Sequence, residues 1–82
     1  MSVLDKITGI IADISGHPKA DVTPDAVLAR DLQIDDFGAI EIVITIEDEF
    51  GVEISDDQFE SAHTPRDLER LVNAATGALA TL

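Results

Sequence analysis

The chain has 82 residues, 5 Lys and Arg against 17 Asp and Glu, a formal net charge of −12, and 45% hydrophobic residues. That length allows one small domain with a thin core, burying about 60–65% of the surface of the unfolded chain, and the apolar content is too high for a disordered acidic tail. The lack of cysteine excludes disulfides, thiolate metal sites and cysteine nucleophiles. No apolar run approaches the roughly 18 residues of a membrane span. A charge this negative argues against nucleic acid and anionic membranes as partners, and for basic proteins. The opening MSVLDKITGI shows no basic region followed by an apolar stretch and a cleavage site. A cytoplasmic, soluble monomer is therefore the expectation.

Residues 3–14 read as an amphipathic helix, since Val3, Ile7, Ile10, Ile11 and Ile14 form one stripe of a 3.6-residue period. Ser2 is its N-cap candidate, Asp5 stands in the capping-box position, and Gly16 followed by Pro18 stops it. From 17 to about 34 no period persists. An ordered loop is expected there, because Val22, Val27, Leu28 and Leu32 need burial. The second helix opens at Asp35, an N-cap candidate, and runs to Phe50, where Gly51 ends it. A short helical turn near 56–61 carries one apolar anchor, Phe59. Thr64, Pro65 and Asp67 mark the start of the last helix, with Leu68, Leu71, Val72, Ala75 and Leu79 as its buried stripe. Val52 and Ile54 alternate too briefly for a strand. The expected core is Ile7, Ile10, Ile11, Ile14, Leu28, Leu32, Ile42, Val43, Ile46, Phe50, Ile54, Phe59, Leu68, Leu71 and Val72.

Charge and periodicity concentrate in one segment. Eleven acidic residues lie within 31–60, and no Lys or Arg occurs between Arg30 and Arg66. Charge alone fits a solvated face. At about 100° per residue from Phe37, however, the second helix carries two apolar stripes. Ile42, Ala39, Ile46, Phe50 and Val43 span about 140–240°, an ordinary core stripe. Ile40, Ile44 and Phe37 span about 300–360°, bordered by Glu47, Asp48 and Glu41. A small bundle cannot easily bury both stripes, so the second is read as a docking strip rimmed by carboxylates.

The segment DLQIDDFGAIEIVITIEDEFGVEI at 31–54 resembles helix II of the acyl carrier protein family. The likeness extends over nearly the whole chain. It takes in the N-terminal helix, the Val-Thr-Pro loop at 22–24, Phe50-Gly51, Val52 and Ile54, Asp56-Asp57 and Thr64-Pro65. It implies an all-α, four-helix bundle over 1–82, with three main helices, one short helix and a long first loop. It implies a carrier-type binding module of fatty-acid, polyketide or lipid biosynthesis, not an enzyme. In that family a serine at the start of helix II receives 4′-phosphopantetheine, whose thiol carries acyl thioesters. The implied partners are basic carrier-dependent enzymes: acyl transferases, ketosynthases and the phosphopantetheinyl transferase. Asp35, Phe37, Ile40, Glu41, Ile44, Glu47 and Asp48 are the residues expected to meet them. A fatty chain is expected to enter between helix II and the rest, lined by Ile40 and Ile44.

The chain departs from the family at one position. Where the family has Asp-Ser-Leu, it has Asp35-Asp36-Phe37, so Asp36 occupies the place of the modified serine. A carboxylate cannot form that stable phosphodiester, and the nearest hydroxyls are Thr23 in the loop and Thr45 beyond the first turns. As written the chain holds no cofactor; 4′-phosphopantetheine would require Ser at 36. Asp36 fits an engineered replacement, a natural domain that docks without transferring, or an imitation of the phosphate charge at a helix start. The alternative function is an acidic adaptor that occupies the docking site of basic enzymes. Gly38 is a lesser departure, costing about 0.5–1 kcal/mol relative to alanine.

Other site readings are weaker. Asp35 and Asp36, adjacent on a helix start, read as solvated acids rather than a general acid/base pair. His17 and His63 are not at ligand spacing and read as surface or loop residues. Glu47 and Glu53 resemble positions that sometimes hold divalent cations weakly in the family, which leaves low-affinity Ca²⁺ or Mg²⁺ binding open, but Arg30, Gly38 and Gly51 stand where further acids would help, and no metal site is assigned.

Overall fold

The structure, a computed structural model, describes the backbone of residues 2–80 and the side chains of 2–77. Four helices follow in chain order: α1 (Val3–Ser15), α2 (Asp36–Phe50), α3 (Asp56–Ser61) and α4 (Pro65–Ala80). No strand occurs among the described residues. Each helix starts at a side-chain cap. Ser2 Oγ accepts from Asp5 N–H at 3.1 Å, Asp35 Oδ1 from Gly38 N–H at 2.9 Å, and Thr64 Oγ1 from Asp67 N–H at 3.1 Å. At α3 both halves of a capping box form: Ser55 Oγ accepts from Gln58 N–H, and Gln58 Oε1 from Ser55 N–H. Gly16 and Gly51 end α1 and α2 in the left-handed region at φ 78° and 64°, where a Cβ would be strained.

α1 packs against both α2 and α4. Ile7, Ile11, Ile42, Ile46, Leu68 and Val72 are fully buried where these three helices meet, and Val22, Ala26, Leu28, Leu32, Ile34 and Val43 extend the core. Six of the expected core residues are only half-buried around it: Ile10, Ile14, Phe50, Ile54, Phe59 and Leu71. A bundle this small has one layer of complete burial, and the flank of every stripe faces its rim. Val27 is likewise half-buried, and Leu79 lies outside the described side chains.

The loop of 17–34 is ordered and contains one 3-10 turn, Lys19–Asp21. Its polar atoms reach fixed partners on both sides. The His17 ring Nε2 lies 2.7 Å from Leu32 O, and since a carbonyl can only accept, Nε2 carries the proton. Leu28 N–H donates to His63 O and Arg66 N–H to Pro24 O, while the Arg66 guanidinium pairs with Asp25 at 2.9 Å. Buried Val22, Ala26, Leu28, Leu32 and Ile34 then close the bundle from this side.

Three carboxyls are held below the ordinary value of 3.8: Asp25 by the hydrogen bond and charge of Arg66, Asp31 by Arg30 and Val27 N–H, and Asp67 by His63 N–H. A depressed folded-state pKa stabilises above the unfolded value and loses that contribution as pH falls through the folded one. Thermal stability should therefore fall as pH drops below about 4, where these groups take up protons. Circular-dichroism melts between about pH 2.5 and 6 test this. Asp67→Asn should flatten the acid limb, and an unchanged limb would contradict the assignment.

Gly38 has a packing reason that the sequence does not display. A Cβ there would meet Ile34 Cγ2 at 3.0 Å and Asp35 Oδ1 at 3.4 Å. The glycine lets the loop's Ile34 tuck against the first turn of α2. Gly38→Ala should therefore fail to give the usual helix gain of about 0.5–1 kcal/mol, leaving stability level or lower by denaturant melting. A full gain would show that Ile34 moves aside freely.

Candidate functional site

The two stripes expected on α2 separate in the structure. Ile42, Val43 and Ile46 are buried, with Ala39 and Phe50 half-buried beside them. The second stripe faces out: Phe37 is 84% exposed, Ile40 47% and Ile44 58%. These are the only large hydrophobic side chains exposed among the described residues. Glu41 and Asp48 are exposed on one flank of the strip. Glu47, on the other flank, is half-buried, and its Oε2 accepts from Ile54 N–H at 2.8 Å. One of its oxygens thus tethers the 52–55 link to α2.

The acidic face has no internal counterions. Each of the five Lys and Arg side chains pairs elsewhere: Lys6 with Glu49, Lys19 with Asp5, Arg30 with Asp31, Arg66 with Asp25 and Arg70 with Asp67. Asp35, Asp36, Glu41, Glu47, Asp48, Glu53, Asp56, Asp57 and Glu60 have no ion-pair partner among the described residues. The field they produce over α2 and α3 is neutralised only by solution ions or by a cationic visitor.

Asp36 is the first residue of α2 and is exposed, next to the cap Asp35. No hydroxyl stands on the first turn, Asp36–Ala39. Thr45 lies more than two turns along, its Oγ1 donating to Glu41 O at 2.8 Å, and Thr23 sits exposed in the loop. The turn therefore lacks the nucleophile that a phosphodiester link requires, although its N-terminal N–H groups suit an anion. Asp35 and Asp36 are both exposed, and Asp35 Oδ1 is engaged in capping. No group of three or more His, Asp or Glu among the described residues is arranged to hold a metal ion. Glu53, paired with Glu47 in the sequence reading, is exposed.

A cavity of about 240 Å³ opens between α2, the loop, α3 and the start of α4. Leu28, Ile34, Ala39, Ile42, Val43, Phe59, Ala62 and Leu68 form its apolar walls, and the exposed Asp35, Asp36, Glu60 and His63 stand at its open edge. This corrects one expectation. Ile40 and Ile44 do not line the cavity; they border a separate, shallower hollow of about 160 Å³ with Val43, Ile54 and Phe59. The inward stripe of α2 builds the cavity because only that stripe faces the loop.

Fold, acidic helix and cavity together define a small carrier-type binding domain. Residues 5–72 match the family model described as the phosphopantetheine attachment site. The chain is 42% identical over 66 residues to an acyl carrier protein of Thermobifida fusca (strain YX), covering 80% of this chain and 84% of that protein. It is 34% identical over 76 residues to an acyl carrier protein of Thermosynechococcus vestitus, covering 93% and 94%. Its structure matches that of an acyl carrier protein from Enterococcus faecalis with a TM-score of 0.76 at 32% identity, covering 89% of this chain and 92% of that one. The chain belongs to the phosphopantetheine attachment site family and has the acyl carrier protein fold.

Proposed function

We propose that this domain docks on the basic, carrier-dependent enzymes of acyl metabolism through α2, and that as written it does so without becoming a holo-carrier. The reading that it is not itself an enzyme goes with this. The observation that supports it best is the exposed strip of Phe37, Ile40 and Ile44, set between Glu41, Asp48 and Glu47 on a face with no internal cations. An exposed apolar strip in a monomeric domain costs solubility and is best explained by a partner that covers it. Its carboxylate border favours a partner with an apolar pocket inside a basic ring, such as an acyl transferase, a ketosynthase or a phosphopantetheinyl transferase. Asp36 supports the second half of the reading, since it puts a carboxylate where the family attaches its group. Docking without transfer would make the chain an acidic occupant of those enzymes' carrier sites.

Intact mass after incubation with coenzyme A and a phosphopantetheinyl transferase is the direct test. The mass should stay that of the bare chain, while a relative carrying the serine, treated in parallel, gains one phosphopantetheinyl group. Any such gain by this chain would overturn the non-carrying half of the proposal.

A further inference from the structure

We infer that Gln33 is a strained hinge at the entrance to α2, and that it lets residues 33–38 open as a unit while the rest of the bundle stays folded. Gln33 has φ 54°, and among the described residues no other side-chain-bearing position lies in the left-handed region. An L side chain there crowds the following carbonyl oxygen. Asparagine and aspartate can settle that strain with a short local hydrogen bond, whereas glutamine is one methylene too long to do so. Such a backbone persists only where its surroundings over-determine it.

The surroundings hold it from both sides. Before it, Leu32 is buried, and its carbonyl oxygen accepts from the His17 ring at 2.7 Å, a bond that joins the two ends of the loop. After it, Ile34 is buried and its N–H donates to Leu28 O at 3.0 Å. Ile34 Cγ2 lies 3.0 Å from where a Cβ on Gly38 would stand, so this seat needs glycine in the first turn of α2. Glycine is a poor helix former, and that turn has little helical stability of its own. Farther along, Ile42, Val43 and Ile46 anchor α2 in the core, and the opening stops short of them. The exposed Phe37 thus rides on the hinged part and Ile44 on the fixed part. In one clause this deepens the docking reading and rests on it: a partner meets a rigid strip at Ile44 and an adaptable end at Asp36 and Phe37.

Hydrogen exchange of the full, free chain, followed amide by amide by NMR across low denaturant concentrations, tests the hinge. Ile34 N–H and Ala39 N–H, which donate to Leu28 O and Asp35 O, should exchange through one common opening that denaturant hardly promotes. That opening should be at least about tenfold more populated than the one that exposes Ile46 N–H in the buried part of α2. Leu28 N–H and Arg66 N–H, bonded to His63 O and Pro24 O outside the hinge, should not share it. Gln33→Gly relieves strain equivalent to a factor of about 5–30, partly offset by the freedom glycine gains in the open state. The opening at Ile34 should then become rarer by about threefold or more. Gln33→Val should make it commoner, because a β-branched side chain fits the left-handed region worst. His17→Ala, which frees Leu32 O, should make it commoner by about fivefold.

Either of two results would overturn the inference. Ile34 and Ala39 N–H may exchange only together with Ile46, which is whole-chain unfolding and leaves no local hinge. Or Gln33→Gly slows exchange at Ile46 and leaves Ile34 unchanged, so that the strain is released only when the whole chain unfolds. Failure of the docking reading shows separately, as partner binding indifferent to Phe37 and Ile44, and leaves the exchange of the free chain untouched.

Discussion

Asp36→Ser is expected to yield a chain that a permissive transferase converts fully to the phosphopantetheinyl form, while the parent, on the reading proposed above, stays bare. Residue 36 is the first residue of α2 and is exposed, so a serine hydroxyl there would be open to an enzyme. The resulting phosphodiester would carry its negative charge at the N–H groups of the first turn, where an anion is worth roughly 0.3–1 kcal/mol. Asp36 already puts a negative charge in that place, so Asp36→Ser should cost about 0.3–1 kcal/mol while the serine is bare, and the phosphodiester should restore it. The cap is untouched, because Asp35 and not Asp36 accepts from Gly38 N–H. The effect on chemistry is all-or-none. A carboxylate attacking phosphorus would give an acyl phosphate anhydride, which water cleaves, whereas a hydroxyl gives a stable ester. Intact mass of the variant and the parent, each treated with coenzyme A and the same transferase, reads the difference. A variant that stays bare beside a modified relative would mean that α2 no longer presents a transferase-competent surface. Phe37 and Gly38 would then be the residues to exchange next.

Much of this architecture was legible in the residues, and what was not has local causes. The helix starts at Ser2, Asp35 and Thr64 each showed a short polar side chain before a periodic run, and each makes the expected cap. Gly16 and Gly51 announced left-handed stops for the same kind of reason. The two stripes of α2 followed from periodicity alone, since a helix wheel fixes angles whatever packs against it. The Ser55–Gln58 capping box was equally visible as a Ser-x-x-Gln spacing, but its helix has a single apolar anchor, so no period drew attention to it. Ile34 and Gly38 were beyond reach. Their contact joins a loop without a period to a helix start, and only the path of the loop makes a glycine preferable to alanine there. The same limit explains the misplacement of Ile40 and Ile44. A wheel tells which residues share a face, while the cavity depends on which face the loop closes over. Glu47 shows the limit for a charged residue: its spacing put it at the edge of the expected docking strip, but its bond to Ile54 N–H spans the turn at Gly51 and needed coordinates.

Two isoleucines on one helix should respond oppositely to truncation. Ile46 is completely buried between α1, α2 and α4, whereas Ile44, two residues earlier, is 58% exposed. Ile46→Ala removes buried hydrocarbon and leaves a void, which costs about 2–5 kcal/mol in a packed core. At about 0.05–0.15 kcal/mol per residue, a domain of 82 residues has roughly 4–12 kcal/mol in all. The melting temperature should thus fall by at least about 10 °C, and a substantial unfolded fraction at 25 °C is within range. Ile44→Ala should cost less than about 0.5 kcal/mol, because more than half of its surface stays in water on folding and its truncation opens no cavity. In binding to a carrier-dependent enzyme, the partner proposed above, the order should reverse. Ile44→Ala combined with Phe37→Ala removes the two most exposed of the strip's three side chains, and truncating anchors of that kind weakens a complex by about 1 kcal/mol or more each, so Kd should rise at least about 20-fold. Matched thermal melts and binding titrations separate the two roles. If Ile44→Ala melts as early as Ile46→Ala, the strip is structural; if the double variant binds as the parent does, partners approach by another face.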